Sequence, residues 1–220
     1  APIDGWTASN LRGDSRDGLG RWSEDDLVQF LRTGRNDHTA AFGGMTDVVE
    51  HSLQHLSAED ATAIARYLKS LGAKDPNQVG FQPDDSVAKA LWRGDDSKTG
   101  AALYVDSCAA CHKTDGSGYK RFFPELAGNA VVQTDDPTSL IRIVLTGSTL
   151  PGVQGAPSAI TMPAFGWRMS DRQVADVVNF IRTSWGNTAN SVVTEKDVAK
   201  VRKDEAVVNN QGDADIEKLP

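Results

Sequence analysis

Cys108-Ala109-Ala110-Cys111-His112 is the stretch of sequence that decides the fold. Two cysteines three positions apart, with histidine directly after the second, can bind both thiols to the vinyl groups of a haem while the imidazole ligates its iron. These two cysteines are the only ones among the 220 residues. The pattern therefore predicts one covalent haem c, held by Cys108, Cys111 and His112.

Two other uses of the cysteine pair are possible. A disulfide between the two would close a strained ring and would leave the adjoining histidine without a role. A zinc site needs two further ligands at short spacing, and no such cluster follows. The remaining histidines are not expected to bind metal. His51 and His55 are four residues apart on a predicted helix, but we expect no group of carboxylates and histidines to complete a site there, and His38 stands alone in a loop.

Composition and charge limit the class of partner. With 220 residues the chain is long enough for one large or two small domains with their own cores. It is 39% hydrophobic and has a formal net charge of -7. Because lysine and arginine form no cluster, nucleic acid is not expected as the main partner. The sequence contains no run of about 18 apolar residues, so no transmembrane segment is predicted. A signal peptide is expected to be already removed or to lie outside the sequence, and haem c attachment predicts the periplasm, with membrane association through other subunits or missing segments.

An internal repeat relates the two halves of the chain. The segment 27–34 (LVQFLRTG) aligns with 140–147 (LIRIVLTG), and Ser57 aligns with Ser170 at the same offset of 113 residues. A Thr-Gly helix stop and a later serine cap are not expected to match at the same offset by coincidence. At that offset the haem motif of the first copy falls before Ala1. The first half is therefore expected to be a partial copy without its haem-attachment helix, in a piece of a longer multihaem protein, or alternatively a haem-free pseudo-domain.

Apolar spacing and helix caps predict six helices before a polar tail. They cover residues 23–34, 48–56, 57–71, 98–107, 138–145 and 170–185. Glycine, proline and aspartate predict loops at 1–21, 73–96, 113–137 and 148–166. The domain organisation that follows is a partial domain at 1–72, a linker at 73–96, a haem domain at 97–187 and a tail at 188–220. In the tail we expect one short helix, capped by Thr194, followed by extended chain.

The first half is near the lower size limit for an independent core. We therefore expect residues 20–72 to lie against the haem domain or another subunit. The apolar side chains expected to be buried there are Leu27, Phe30, Leu31, Ile64 and Leu68.

The sixth iron position distinguishes an electron carrier from a haem enzyme. Met162 is predicted to be the ligand, because it lies in a loop 50 residues after His112 and the following Pro163 stiffens the backbone. The alternative is that it fills the core. Met169 is explained as the hydrophobic staple of the last helix. Met45, in the corresponding loop of the first half, is expected to pack as an apolar side chain or to mark where another haem sat.

Apolar residues near both ligands are expected to wall the haem pocket and exclude water. They are Phe122, Phe123, Pro124, Leu126, Pro163, Ala164, Phe165 and Trp167. Arg121 or Arg142 is a candidate partner for a haem propionate, with solvent exposure as the alternative for each.

Several longer motifs carry a family resemblance. They are GLGRWS at 18–23, LRTGRN at 31–36, YLKSL at 67–71, FPELAGN at 123–129, MPAF at 162–165 and SWGN at 184–187. Over roughly residues 5–203 the chain resembles the triple-haem cytochrome c subunits of bacterial membrane-associated alcohol, gluconate, sorbitol and aldehyde dehydrogenases. The resemblance implies an all-α fold of class I cytochrome c type, in which Cys108, Cys111, His112 and Met162 belong to the third haem domain and Met45 is the distal ligand of the second.

The same resemblance implies an electron-transfer role, and this is the leading prediction: a subunit that is not itself an enzyme. Its electrons are expected to come from a quinoprotein, flavoprotein or molybdenum dehydrogenase subunit and to pass to ubiquinone or an oxidase. Two alternatives are a peroxidase-like haem enzyme with a labile sixth ligand and an interaction module with a structural haem.

Overall fold

Short helices joined by long loops make up most of the chain in the computed structural model, which describes the backbone of residues 5–216 and the side chains of residues 5–205. In the first half the helices are α1 (Glu24–Thr33), α2 (Gly44–His51), a 3-10 turn (Leu53–His55) and α3 (Ala58–Ser70). The second half holds α4 (Ser86–Trp92), α5 (Ala101–Ser107), α6 (Ala109–His112), α7 (Ala130–Gln133), α8 (Thr138–Thr146), α9 (Asp171–Arg182) and α10 (Glu195–Ile216). One antiparallel pair, β1 (Ser148–Thr149) and β2 (Thr161–Met162), lies between α8 and α9. The prediction of a mostly helical chain is confirmed.

Capping residues set the starts of the main helices, as the sequence predicts. The Ser170 hydroxyl accepts the N–H of Gln173, and the Gln173 side chain accepts the N–H of Ser170. Ser23 and Asp26 form the same reciprocal pair at α1. These bonds satisfy N–H groups that the first turn of a helix leaves without partners. At the other end α1 stops at Gly34, whose φ of 69° is a left-handed conformation that glycine adopts without steric cost.

The larger core lies in the second half, where α5, α8, α9 and α10 pack together. From α9 it takes Val174, Val177 and Val178, which are all fully buried, and from α5 Tyr104. The spacing of the three valines is that of one helix face, which the sequence predicts. This core forms one wall of the site described below.

The first half has its own small clusters and lies against the second half. One cluster joins Leu19, Trp22 and Leu27 to Ala65 of α3. The Arg21 guanidinium donates to the carbonyl of Gly128, at 2.6 Å, across the boundary between the halves. The expectation that residues 20–72 pack against the haem domain is therefore confirmed. Of the five side chains expected to be buried there, however, only Leu27 is, and the other four are partly exposed.

Two segments contain more helix than the sequence predicts. The linker 73–96 contains α4, because its Ala88 fits into the larger core and the Asp84 carboxylate accepts the N–H of Ser86 at the helix start. The tail does begin a helix after Thr194, but this helix, α10, runs to Ile216 rather than stopping early. Its Val198 and Val201, three residues apart, are buried against the core, which stabilises the first turns.

Smaller differences concern the first half and the loop after α8. The helix predicted at 48–56 begins at Gly44, so Met45 is helical rather than in a loop. The predicted loop 113–137 contains α7, and the loop 148–166 contains the β1–β2 pair. Among the described residues, no helix has the length and apolar character needed to cross a membrane.

Candidate haem-binding site

A cavity of about 160 Å³ brings the four residues of the predicted haem site together. Cys108, Cys111, His112 and Met162 all line it. Apolar side chains make up most of the remaining wall, among them Leu140 and Val144 from α8, Val177 and Ile181 from α9, and Phe123 and Phe165 from the loops. An apolar wall excludes water, which affects the charge balance of any metal centre inside it.

His112 ends α6 with its imidazole buried, the residue being 8% exposed. Its Nδ1 lies 2.9 Å from the carbonyl oxygen of Pro124. Because a carbonyl only accepts, the proton is on Nδ1, and the lone pair of Nε2 remains for a metal. Burial lowers the pKa of His112, against the effect of the Pro124 hydrogen bond, so the imidazole is neutral near pH 7.

The break between two short helices positions the two cysteines. Cys108 lies between the end of α5 at Ser107 and the start of α6 at Ala109, and Cys111 follows one turn later. Both are free thiols. Burial, followed by the proximity of Cys111, raises the pKa of the Cys108 thiol to about 12, so this sulfur is protonated at neutral pH.

Aromatic side chains hold the loop that follows the motif. The Tyr104 hydroxyl donates to the Lys113 carbonyl at 2.6 Å, and the Trp185 indole N–H donates to the Thr114 carbonyl at 2.9 Å. Gly116, with a φ of 67°, lies so close to the Trp185 ring that a Cβ there would be 2.7 Å from it. These contacts keep the chain after His112 in a tight turn that returns Pro124 to the imidazole.

Asn187 is a site residue to which sequence reasoning assigned no role. Its buried amide donates to the carbonyls of Leu126 and Ile181, both at 2.9 Å, and accepts the N–H of Gly128 at 2.8 Å. It therefore joins the end of α9 to the loop that carries Pro124. The SWGN motif was the available signal, but two of the three partners of Asn187 lie about sixty residues away and no local pattern points to them.

Met162 lies in β2 rather than in a loop, paired with Ser148 of β1, and is half-buried. Gly147 allows this close approach, because a Cβ at its φ of 75° would lie 2.4 Å from the Met162 carbonyl oxygen. Met169 is 5% exposed; its side chain belongs to the larger core and also lines the cavity. The structure thus brings two thioethers to the cavity.

The remaining sequence expectations near the site have different outcomes. Met45 is 45% exposed, so the expectation that it packs as an apolar side chain is wrong, while the alternative, that it marks where another haem sat, stays a prediction. Neither candidate propionate partner lines the cavity. Arg142 is buried against Glu205 and lies over the Trp6 ring, and Arg121 is exposed with its Nε 3.6 Å from Asp37.

The histidines outside the motif have more partners than the sequence suggests. The carboxylates of Asp47 and Glu50 lie within 4.8 Å of the imidazole of His51, so the expectation that carboxylates do not accompany this histidine is wrong. His38 is not isolated, since its two ring nitrogens lie 3.1 Å from Glu125 and 3.5 Å from Asp26. Neither group lines the cavity.

Comparison with known proteins decides the family. The cytochrome c family model matches residues 97–185. Over 94 residues the chain is 34% identical to cytochrome c-552 of Thermus thermophilus, and the match covers 69% of that protein. The chain belongs to the cytochrome c family. Membership implies covalently bound haem c, and the site has the groups that this requires: two free thiols, a neutral imidazole with Nε2 available, and an apolar cavity between them and a thioether.

Longer relatives within the cytochrome c family match almost the whole chain. The gluconate 2-dehydrogenase cytochrome c subunit of Pantoea cypripedii is 75% identical over 222 residues. The cytochrome c subunit of alcohol dehydrogenase (quinone) from Komagataeibacter europaeus is 51% identical over 213 residues. These matches take in 100% and 96% of this chain but 50% and 46% of the relatives, so the chain spans about half of their length.

Proposed function

We propose that this chain is an electron-transfer subunit of a dehydrogenase complex and carries one covalent haem c. The observation that carries the proposal is the convergence of Cys108, Cys111, His112 and Met162 on one apolar cavity. When bound, the haem supplies an iron that exchanges single electrons between its ferric and ferrous states. One haem is proposed because the two cysteines are the only ones in the sequence.

Each site residue has a proposed task. Cys108 and Cys111 supply the thioether links, and His112 is the proximal ligand, oriented by its hydrogen bond to Pro124. Met162 is the proposed sixth ligand. With the haem bound, thioether and imidazole ligands together would favour the reduced metal and would leave no iron position for a substrate, which supports electron transfer rather than catalysis. The apolar wall supports the same task by excluding water.

The proposed partner is the catalytic subunit of a dehydrogenase. This is supported by the names of the relatives, which are subunits of gluconate 2-dehydrogenase and alcohol dehydrogenase (quinone). We further propose a quinoprotein, flavoprotein or molybdenum type of donor, ubiquinone or an oxidase as acceptor, and a periplasmic location with membrane association through other subunits. The periplasm is proposed because covalent haem attachment takes place outside the cytoplasm.

We also propose that residues 1–72 are a partial copy of the haem domain at 97–187, joined by the linker 73–96 and followed by the tail 188–220. In support, α1 and α8 both end at a glycine with positive φ, 69° at Gly34 and 75° at Gly147, although the ψ values of 9° and -174° differ. The next capped helices, α3 and α9, begin after Ser57 and Ser170, whose ψ values are 161° and 162°. The equal offset of glycines and serines supports the repeat in structure as well as in sequence.

The test is the intact mass and optical spectrum of the purified protein, followed by two matched variants. We expect the mass of one added haem, retained after unfolding. We also expect the oxidised protein to show a charge-transfer band near the red edge of the spectrum, from iron bonded to a thioether. Met162→Ala should abolish the band and permit rapid carbon monoxide binding in the reduced protein. Met169→Ala, which removes the second thioether at the cavity, should keep the band.

The opposite outcomes have distinct meanings. Loss of the band in Met169→Ala but not in Met162→Ala would assign the ligand to Met169. A colourless protein, or a wild type that binds carbon monoxide fully and at once, would refute electron transfer as the function.

A further inference from the structure

The loop between β1 and β2 borders the cavity and leads directly into the strand of the candidate ligand. Residues 150–160 connect the two strands, Leu150 and Ile160 at its ends line the cavity, and Met162 follows within β2. Within the loop itself the backbone contacts are few: the Leu150 N–H donates to Ile160, and Val153 pairs with Ala156. Most of its other polar contacts come from the first half of the chain.

Arg35, directly after the end of α1, makes the central contact. Its Nη2 lies 3.0 Å from the carbonyl oxygen of Pro151, 2.8 Å from that of Ala156 and 3.0 Å from that of Ser158, and its two N–H groups are shared among the three. Its Nη1 donates to the carbonyl of Arg121, outside the loop, at 3.5 Å. Pro151 lies on the arm of the loop that leaves β1, and the other two lie on the arm that returns to β2. One guanidinium therefore joins both arms.

The burial of this cation is unusual. Arg35 is 4% exposed, and among the ion pairs of residues 5–205 no carboxylate pairs with it. Its Nε is buried without a hydrogen-bond partner. A buried cation is costly unless dipoles offset the lost hydration, and here the loop carbonyls supply them. Most of the dipoles that stabilise this charge therefore belong to the loop.

Two further contacts from the first half act on the same loop. A Glu50 carboxylate oxygen accepts the Gly152 N–H at 2.6 Å, and the Gln54 side chain accepts the Gln154 N–H at 3.1 Å. Between them Val153, 2% exposed, packs in a cluster with Val49. The first half therefore holds the loop at its backbone and at the buried side chain of Val153.

We infer that Arg35 is a positioning residue for the Met162 thioether, holding the loop 150–160 closed from the neighbouring half of the chain. The inference rests on the proposed function, because it takes Met162 as the sixth ligand. Its physical basis is that Met162 lies in β2, directly after the returning arm of the loop, and Arg35 joins that arm to the arm that leaves β1, so its bonds restrict movement of the backbone that carries the thioether. The first half would then act on the ligation of the haem domain without carrying a haem of its own.

The test is a titration of the oxidised, haem-loaded chain with imidazole, which competes with a thioether for iron. Arg35→Met removes the donors but keeps the length of the side chain, and it should raise the apparent imidazole affinity about tenfold, which corresponds to about 1.4 kcal/mol. Arg35→Lys should restore most of the wild-type value, since an ammonium can donate to three carbonyls. Arg32→Met, an exposed site in α1, is the matched control and should not change the affinity.

A second measurement does not depend on the ligand. Hydrogen exchange of the amides in 150–160 should be faster in Arg35→Met than in wild type and in the Arg32 control. If Arg35→Met does not yield loaded protein, Glu50→Ala serves instead, with an expected rise in imidazole affinity of about threefold and faster exchange at Gly152.

The outcomes separate the two proposals. Wild-type exchange and wild-type imidazole affinity in the Arg35 or Glu50 variants would overturn the positioning role. Absence of the iron–thioether band from the wild type would refute Met162 as ligand instead, and the exchange rates alone would then decide whether Arg35 holds the loop.

Discussion

Replacing Asp14 with asparagine removes one charge from a buried junction between the first loop of the chain and the segment after α3. Asp14 is 2% exposed. One carboxylate oxygen accepts the Asp75 N–H at 2.8 Å, and the other accepts the Lys74 N–H at 3.0 Å and the Asn10 amide at 2.8 Å. Asp14 thus joins residues 10–14 to the start of the connection between the two halves.

The pKa of Asp14 sets the magnitude of the expected effect. Burial acts to raise the pKa, but the N–H groups of Asp75 and Lys74 and the Asn10 amide outweigh it and lower the value from 3.8 to about 2. That difference corresponds to about 2 kcal/mol of folding free energy at neutral pH. Asparagine would also turn an NH₂ group toward these donors, at an added cost of about 1 kcal/mol. The expected loss for Asp14→Asn at pH 7 is therefore about 3 kcal/mol.

The pH dependence has a definite sign. Because the folded pKa is lower than the unfolded one, the stabilisation is present above pH 3.8 and is lost as the pH falls toward about 2. The difference in stability between wild type and Asp14→Asn should accordingly be largest near neutral pH and should shrink by about 2 kcal/mol over the acid range.

This difference is measured by urea unfolding of the haem-loaded chain at neutral and acid pH, with far-ultraviolet circular dichroism as the readout. The exposed Asp96→Asn is the matched control and should change the free energy of unfolding by less than about 0.5 kcal/mol. A loss at pH 7 no larger than that of the control, or a loss that is the same at both pH values, would refute the reasoning.

Two further predictions concern packing around the site. Asn187→Ala removes three buried hydrogen bonds and should lower the free energy of unfolding by about 3 kcal/mol. The control Asn190→Ala, at an exposed position, should lower it by less than about 0.5 kcal/mol. Equal urea midpoints for the two variants would contradict the role given to Asn187. Val198→Ala, at a fully buried position of α10, should lower the free energy of unfolding by about 2 kcal/mol, because it removes apolar contacts and leaves a cavity. The control Lys196→Ala, at an exposed position, should have little effect. An unchanged thermal unfolding temperature in Val198→Ala would show that α10 does not pack on the core.

Local features of the sequence predicted much of the fold and the first part of the site. The motif at 108–112, the caps at Ser23 and Ser170 and the glycine stop at Gly34 each act within a few residues. Their geometry follows from backbone hydrogen bonding and from the conformational freedom of glycine, which depend little on the rest of the chain. For the same reason the valine spacing of α9 identified a buried face.

The remaining features depend on residues far apart in sequence. Helix α4 and the length of α10 were not predicted, because short polar segments become helical only when the tertiary core buries an apolar face such as that of Ala88 or Val198.

The sequence by itself determined the covalent haem motif and the helix caps, since each lies in neighbouring residues, and its equal offsets predict the repeat. Only the tertiary structure decided what Arg35 does. Its three carbonyl partners in the loop 150–160 are 116, 121 and 123 positions away. The physical reason is that a buried cation is tolerated where distant backbone dipoles converge on it, and only the folded chain brings those dipoles together.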